Sequence, residues 1–535
     1  MNKKQKSRIF ICSLFVISLF LHLIFLGSLN PYLNADEASL QLSSWCLGNY
    51  RTDRYGNHLP VLIANFYGSQ SAAYAYLVAP FVKIMGMNLW SIRLPMALAF
   101  SLAVFPLYHL LRFTEKEIRV FTILLYVFSP LMIAMGRLGL DCNLIVPASI
   151  CMLDAIVTAI HSKRVAPYIL ASVASGFVLY TYAFSYLLIP VFLFFLFLAL
   201  YRKKQIHGKQ ILAVFLTLGI TAAPVLLEVL TLYGIKRNWN LGPISFIYIP
   251  RNTGGELTKI NPLNLIHSIS ALIASDYAFN KEAGGYIFRT SQPFGRTYLN
   301  FFALSIPFFF FGFFECIRKA KEEWKEGKVG IHLVCLFHLC CGLILYGSMY
   351  YIMTYRISLL IPSALFMMGI GGAKFWKSKQ KWIRLNIKLL YSLEFILFFF
   401  MFFFMNVSEH LADQRYSVAN IPFKKELEFI QNKENCQGKE VYVISSSPGW
   451  IYIPISLGHF SPEEMEMARI DDTVQESENA FSFKGIHTEK PEFINKDAVY
   501  VVTKKYKIDY YDTELNFTGF EKKDFPYYTV YWNKN

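Results

Sequence analysis

Apolar runs of about twenty residues recur along this chain, each long enough to cross a hydrocarbon layer of about 30 Å as a helix. Eleven can be drawn, at 9–29, 91–111, 120–136, 143–160, 166–182, 184–200, 210–232, 298–316, 330–350, 357–374 and 384–405. A chain so built is a polytopic α-helical membrane protein, not a soluble enzyme around one large core. The first run follows Lys3, Lys4, Lys6 and Arg8. It is too long for a signal-peptide core and lacks a small-residue cleavage site, so it reads as a retained helix with a cytoplasmic N-terminus.

Charge orients the runs. The first 405 residues hold thirty-seven Lys and Arg against sixteen Asp and Glu, whereas residues 406–535 hold fifteen against twenty-one. The basic residues collect in alternate short connections: Arg112 with Lys116 and Arg119, Lys163 with Arg164, Arg202 to Lys209, Arg318 to Lys328, and Lys374 to Arg384. This is the topogenic pattern of cytoplasmic loops, so the net charge of +15 implies no nucleic-acid partner. Two domains follow: 1–405, a membrane domain with outer loops 30–90 and 233–297, and 406–535, a soluble extracytoplasmic domain. In the first loop, 72–87 is apolar but short and holds Pro80, which suits a helix lying in the interface. In the second domain a helical start near Phe423 precedes β-branched and aromatic runs at 440–445, 498–503 and 527–532, the signature of a small α/β domain.

Carboxylates are scarce in the membrane half, so the adjacent pair Asp36-Glu37, just past the first run, draws attention. Asn34 before it makes a helix cap with acids in the first turn. A carboxylate at an aqueous–membrane boundary also suits a general base. A second charged group, Arg137 to Asp141 and Asn143, occupies a short turn assigned to the same outer side. The first loop adds Asp53, Gln70 and Tyr74, Arg93 opens the second run, and Arg296 and Arg356 precede later ones.

In this order the acidic pair, the stretch Gln70-Ser71 to Tyr74, Arg93-Leu-Pro95, Ser129-Pro130 and the Arg137–Asp141 turn resemble polyprenyl-phosphate-sugar-dependent glycosyltransferases of the GT-C fold. The nearest group is glycosyltransferase family 39, the dolichyl-phosphate-mannose–protein mannosyltransferases and the aminoarabinose transferases. The resemblance implies inverting sugar transfer on the outer face of the membrane. Asp36 would be the general base, Glu37 its support and Asp141 an acid on the opposite wall. Arg137, Arg93 and Arg356 would face the donor phosphate, where planar guanidinium groups suit a leaving anion. Asp53, Gln70, Tyr74, Asn143 and Arg296 would line the substrate cavity. The implied partners are a polyprenyl-phosphate-linked sugar, a glycan, lipid or protein acceptor, and membrane lipids.

No motif calls for a cofactor, and the nine cysteines show no metal-ligand spacing, which leaves a divalent metal open. Cys46 and Cys142 both fall outside, where a disulfide between them is allowed. A transporter or flippase of a lipid-linked sugar is the competing class. It predicts internal repeats with matching broken helices, which the chain lacks.

Overall fold

The computed structural model describes residues 2–29, 33–65, 68–162, 164–249, 261–274, 299–348, 356–405, 421–444, 451–470, 474–475, 480–488, 491, 493–504 and 516–534. Each of the eleven apolar runs is helical over most of its described length. Among the described residues seven helices are long and apolar enough to span: Gln5–Leu23, Leu89–Phe113, Asp141–Ile160, Ser185–Arg202, Gly208–Ile235, Ser358–Trp376 and Lys381–Phe404. Ala166–Leu179 and Ile331–Tyr346 are apolar but shorter. Ser305–Lys325 runs on into the basic stretch that begins at Arg318. The run at 120–136 is split into Lys116–Phe128 and Pro130–Met135. Proline disfavours a helical residue before it and is at home in a first helical turn; Ser129 is accordingly extended and Pro130 opens the second piece.

The elements that frame the first long loop are α1 (Lys3–Leu23), α2 (Ala35–Tyr50), the hairpin of β1 (Leu62–Asn65) and β2 (Gly68–Ser71), α3 (Ala72–Met85) and α4 (Leu89–Leu102). Beyond them come α5 (Val104–Leu110), α6 (Lys116–Phe128), α7 (Pro130–Met135) and α8 (Asp141–Ile160). At 14 residues and 1.5 Å each, α3 is about 21 Å long, too short to span. It packs along α2 instead, with Gly48 against the Ala79 carbonyl. A second hairpin, β3 (Trp239–Leu241) and β4 (Ile244–Phe246), meets the first loop where Ser245 N–H donates to His58 O at 2.9 Å. At the other end of the bundle the basic connections gather: Glu115 pairs with Lys319 and Lys377, and Lys203 donates to Trp324 O.

The C-terminal domain is a mixed sheet. Its strands are β5 (Val441–Ile444), β6 (Val474–Gln475), β7 (Ala480–Phe483), β8 (Ile486–His487), β9 (Val499–Thr503), β10 (Phe520–Asp524) and β11 (Tyr528–Asn533). Their order is β10-β11-β9-β5-β8-β7-β6, with β5 parallel to β8 and β9 and the other pairs antiparallel. Three of the strands occupy the β-rich runs read from the sequence. The domain is docked on α2: Trp45 Nε1–H donates to Phe460 O at 3.0 Å and the Tyr452 hydroxyl to Leu33 O at 2.9 Å.

Lipid offers no hydrophobic reward for joining two apolar helices, so close contact through small residues does that work. Ser305–Lys325 crosses Ile361–Trp376 with Gly312 against the Met367 carbonyl and Gly371 against that of Phe308. A methyl group at either glycine would overlap backbone atoms. Gly371→Ala is expected to destabilise the detergent-solubilised protein by about 1–3 kcal/mol, read as a lower thermal midpoint. An unchanged melting curve would show that this crossing is not held by backbone contact.

Candidate active site

The start of α2 is a capping box. Asn34 Oδ1 accepts from Asp36 N–H at 2.8 Å, and Glu37 Oε2 accepts from Asn34 N–H at 3.2 Å. The two adjacent acids then diverge, because neighbours on a helix point to different sides. Glu37 is fully buried and accepts from Arg93 at both oxygens, Nε to Oε1 and Nη2 to Oε2, each at 3.0 Å. Gly139 N–H donates to Oε1 as well, at 2.7 Å. This carboxylate therefore clamps α2 to α4 and to the turn between α7 and α8. Arg93, expected at the donor phosphate, is the other half of the clamp.

Asp36 is only half-buried, and among the described residues its carboxylate accepts one hydrogen bond, from Asn65 Nδ2 at 2.7 Å. Burial raises its carboxyl above the ordinary range; the Asn65 bond opposes this and the Glu37 charge adds to it. Asp141 opens α8. Its Oδ2 accepts from Ser71 N–H at 3.0 Å and its Oδ1 from Cys142 N–H at 2.8 Å. Asn65 ends β1 and Ser71 ends β2, so one hairpin holds Asp36 at its tip and Asp141 at its base. Both acids are close enough to Cys142 to act on it electrostatically.

The other expected site residues have distinct surroundings. Arg137 Nη1 donates to Leu21, His22 and Ile24 carbonyls at 3.1, 3.0 and 2.7 Å. Those groups end α1, where unpaired carbonyls and the negative end of the dipole favour a cation. Its guanidinium also lies 5.2 Å from the Phe403 ring centre. Arg137 thus caps the end of α1 through Nη1. Asp53 is buried in its own turn, accepting from Tyr55 N–H and Asn57 N–H at 2.9 and 3.0 Å. The Tyr74 hydroxyl donates to Ile92 O. Asn143 Nδ2 donates to Met135 O and Leu138 O at 3.0 and 3.3 Å, fixing the tight turn ahead of α8. These three brace the loop between α2 and α4 and the turn ahead of α8. Gln70 does reach the acidic corner, with Nε2 donating weakly to Asp36 O at 3.5 Å.

Arg356 is half-buried, with its guanidinium 5.9 Å from the Phe184 ring centre. Two residues on, the Ser358 hydroxyl donates to Cys142 O at 3.3 Å, which fastens this segment to the start of α8 beside Asp141. Arg296 lies outside the described residues. Cys46 and Cys142 are free thiols. Among the described residues no cluster of three or more His, Cys, Asp or Glu side chains is arranged to hold a metal ion.

Residues 69–227 match the family model of the dolichyl-phosphate-mannose-protein mannosyltransferases. The match takes in β2, α8 and Asp141, and Asp36 precedes it. No curated protein matches the chain by sequence. Among solved structures it is similar to ArnT from Cupriavidus metallidurans in the apo state, with a TM-score of 0.56 at 10% identity over 99% of this chain and 98% of that one. The same ArnT bound to undecaprenyl phosphate gives 0.54 at 11% identity, again over 99% and 98%. The oligosaccharyltransferase AglB from Archaeoglobus fulgidus, in complex with an inhibitory peptide and a dolichol-phosphate, gives 0.49 at 13% identity over 85% of this chain and 64% of that one. The helical bundle and the family domain together define a polytopic membrane glycosyltransferase of the GT-C class.

Asn65 escaped notice in the sequence. The signal was there: an apolar run, Leu62-Ile63-Ala64, met Gly68-Ser69 within hairpin distance, and Asn65 stands at that turn.

Removing one partner of a buried ion pair strands the other charge and costs about 3–5 kcal/mol. Arg93→Met is therefore expected to melt far below the wild-type protein, with part of the loss recovered in Glu37→Gln/Arg93→Met. If Arg93→Met melts normally and only raises KM for the donor, the clamp is not the main task of Arg93.

Proposed function

We propose that this protein transfers a sugar from a polyprenyl-phosphate donor to an acceptor on the outer face of the membrane, with inversion and with Asp36 as the general base. The N-terminus is cytoplasmic and the domain 406–535 extracytoplasmic, the orientation that the basic connections favour. The observation that carries the reading is the convergence of Asp36 and Asp141 on one hairpin, at the end of the bundle away from the basic connections. The undecaprenyl phosphate bound to ArnT, a protein of similar fold, supports a lipid-phosphate donor.

Asp36 removes the proton as the acceptor oxygen attacks the anomeric carbon, and the bond from that carbon to the phosphate oxygen breaks. Polyprenyl phosphate leaves with the electron pair. Arg356 stabilises the charge that develops on it, as a preorganised cation near a leaving anion does. Asp141 forms the second acidic wall. Glu37, Arg93 and Arg137 act at one remove, by keeping the α2 cap and the α7–α8 turn in place. The acceptor is a glycan, a lipid or a protein hydroxyl.

Asp36→Asn is expected to reduce transfer by about 10²–10⁴-fold, the usual contribution of a general base, while the protein melts as the wild type does. Near-normal transfer in this variant sinks the assignment. A base works when deprotonated, so a raised Asp36 carboxyl moves the acid limb of kcat/KM to higher pH than an ordinary aspartate gives. Full activity retained down to about pH 4, the ordinary Asp range, would contradict it.

A further inference from the structure

Taking Asp36 as the base, we propose that Asn65 is a positioning residue for it: the amide holds one carboxylate oxygen and leaves the other for the acceptor hydroxyl. The strand that carries the amide is itself held. Leu62 and Ile63 of the same strand are buried, β1 is paired to β2 with Asn65 opposite Gly68, and Ser71 at the far end is bonded to Asp141. The 2.7 Å bond from Nδ2 to Asp36 Oδ1 is thus made from a rigid support. Asn34 orders the backbone side of Asp36 by accepting its N–H. Backbone and carboxylate are each fixed by one amide side chain, and the second oxygen, Oδ2, carries no bond among the described residues.

Such a donor acts on charge as well as direction. A hydrogen bond to the ionised form favours it, so Asn65 offsets part of what burial and Glu37 do to Asp36. Among the described residues, Cys142 at the start of α8 and Tyr452 from the C-terminal domain are also close enough to feel the charge of Asp36. Neither is a cation, and Arg93 is engaged by Glu37. Among the described residues the amide is thus the neutral donor that opposes burial at Asp36.

The test is an infrared titration of the full-length protein in detergent, with the Asp36 carboxyl band assigned by its loss in Asp36→Asn. In Asn65→Leu the midpoint is expected to rise by about one pH unit, a tenfold change in protonation at fixed pH. In Asn65→Asp, which keeps the shape but replaces the donor with a second acid, it rises further. The acid limb of transfer moves in the same order. An unmoved midpoint in both variants overturns the inference, even where transfer has fallen, and so does a midpoint that moves while the acid limb stays. If Asn65→Leu does not fold, Asn65→Asp decides alone. The Asp36→Asn protein separates the two levels: if it still transfers sugar, the general-base reading fails. If it is dead while the Asn65 variants titrate as wild type, only the present inference fails.

Discussion

The buried Glu37–Arg93 pair is the constraint on which the packing of α2, α4 and the turn before α8 rests. Two ions out of water are tolerated only when their remaining hydrogen-bonding capacity is met. Here Arg93 engages both oxygens, and Gly139 N–H and Asn34 N–H supply further donors. Three points of the chain are tied to this one carboxylate: the cap of α2 at Asn34, Arg93 of α4, and Gly139 in the loop before α8. Gly139 also packs against the Ile92 carbonyl, too close for a side chain, which keeps that loop against α4. The clamp brings the ends of α2 and α8 near each other, and so brings Asp36 and Asp141 near each other.

Asp36 inherits its freedom from its neighbour. Because Glu37 meets the structural demands of the helix start, Asp36 is left with one side-chain donor among the described residues and partial exposure. The same division runs through the arginines. Arg93 and Arg137 hold protein groups, one a carboxylate and the other a set of helix-end carbonyls. Arg356 lies beside the Phe184 ring, on a segment tied to α8 by Ser358.

The bundle was legible in the sequence because its signals are local. A run of apolar residues is a helix wherever it lies in lipid, and a proline such as Pro130 marks its break without reference to the rest of the chain. The β-rich stretches of the last domain were equally plain in Val441-Tyr-Val-Ile444 and Val499-Tyr-Val-Val-Thr503. What could not be read was partnership. Arg93 lies 56 residues from Glu37, and Arg137 lies 115 from the His22 carbonyl it caps. From the sequence each looks like a cation waiting for an anion, and only the fold reveals which are already engaged. Asn65 was hidden for the opposite reason: an uncharged amide in a turn has no chemistry until it is found against a carboxylate.

The contact between Tyr452 and Leu33 joins residues 419 positions apart. A ribosome adding 5–20 residues each second needs about 20–80 s to cover that distance. For that interval the first outer loop exists without the surface that will rest on it, and Leu33 and Trp45 await their partners. The acidic corner is thus among the first pieces to be made and among the last to be finished. Membrane insertion of this loop and its contact with the C-terminal domain are therefore separated in time in the life of each molecule.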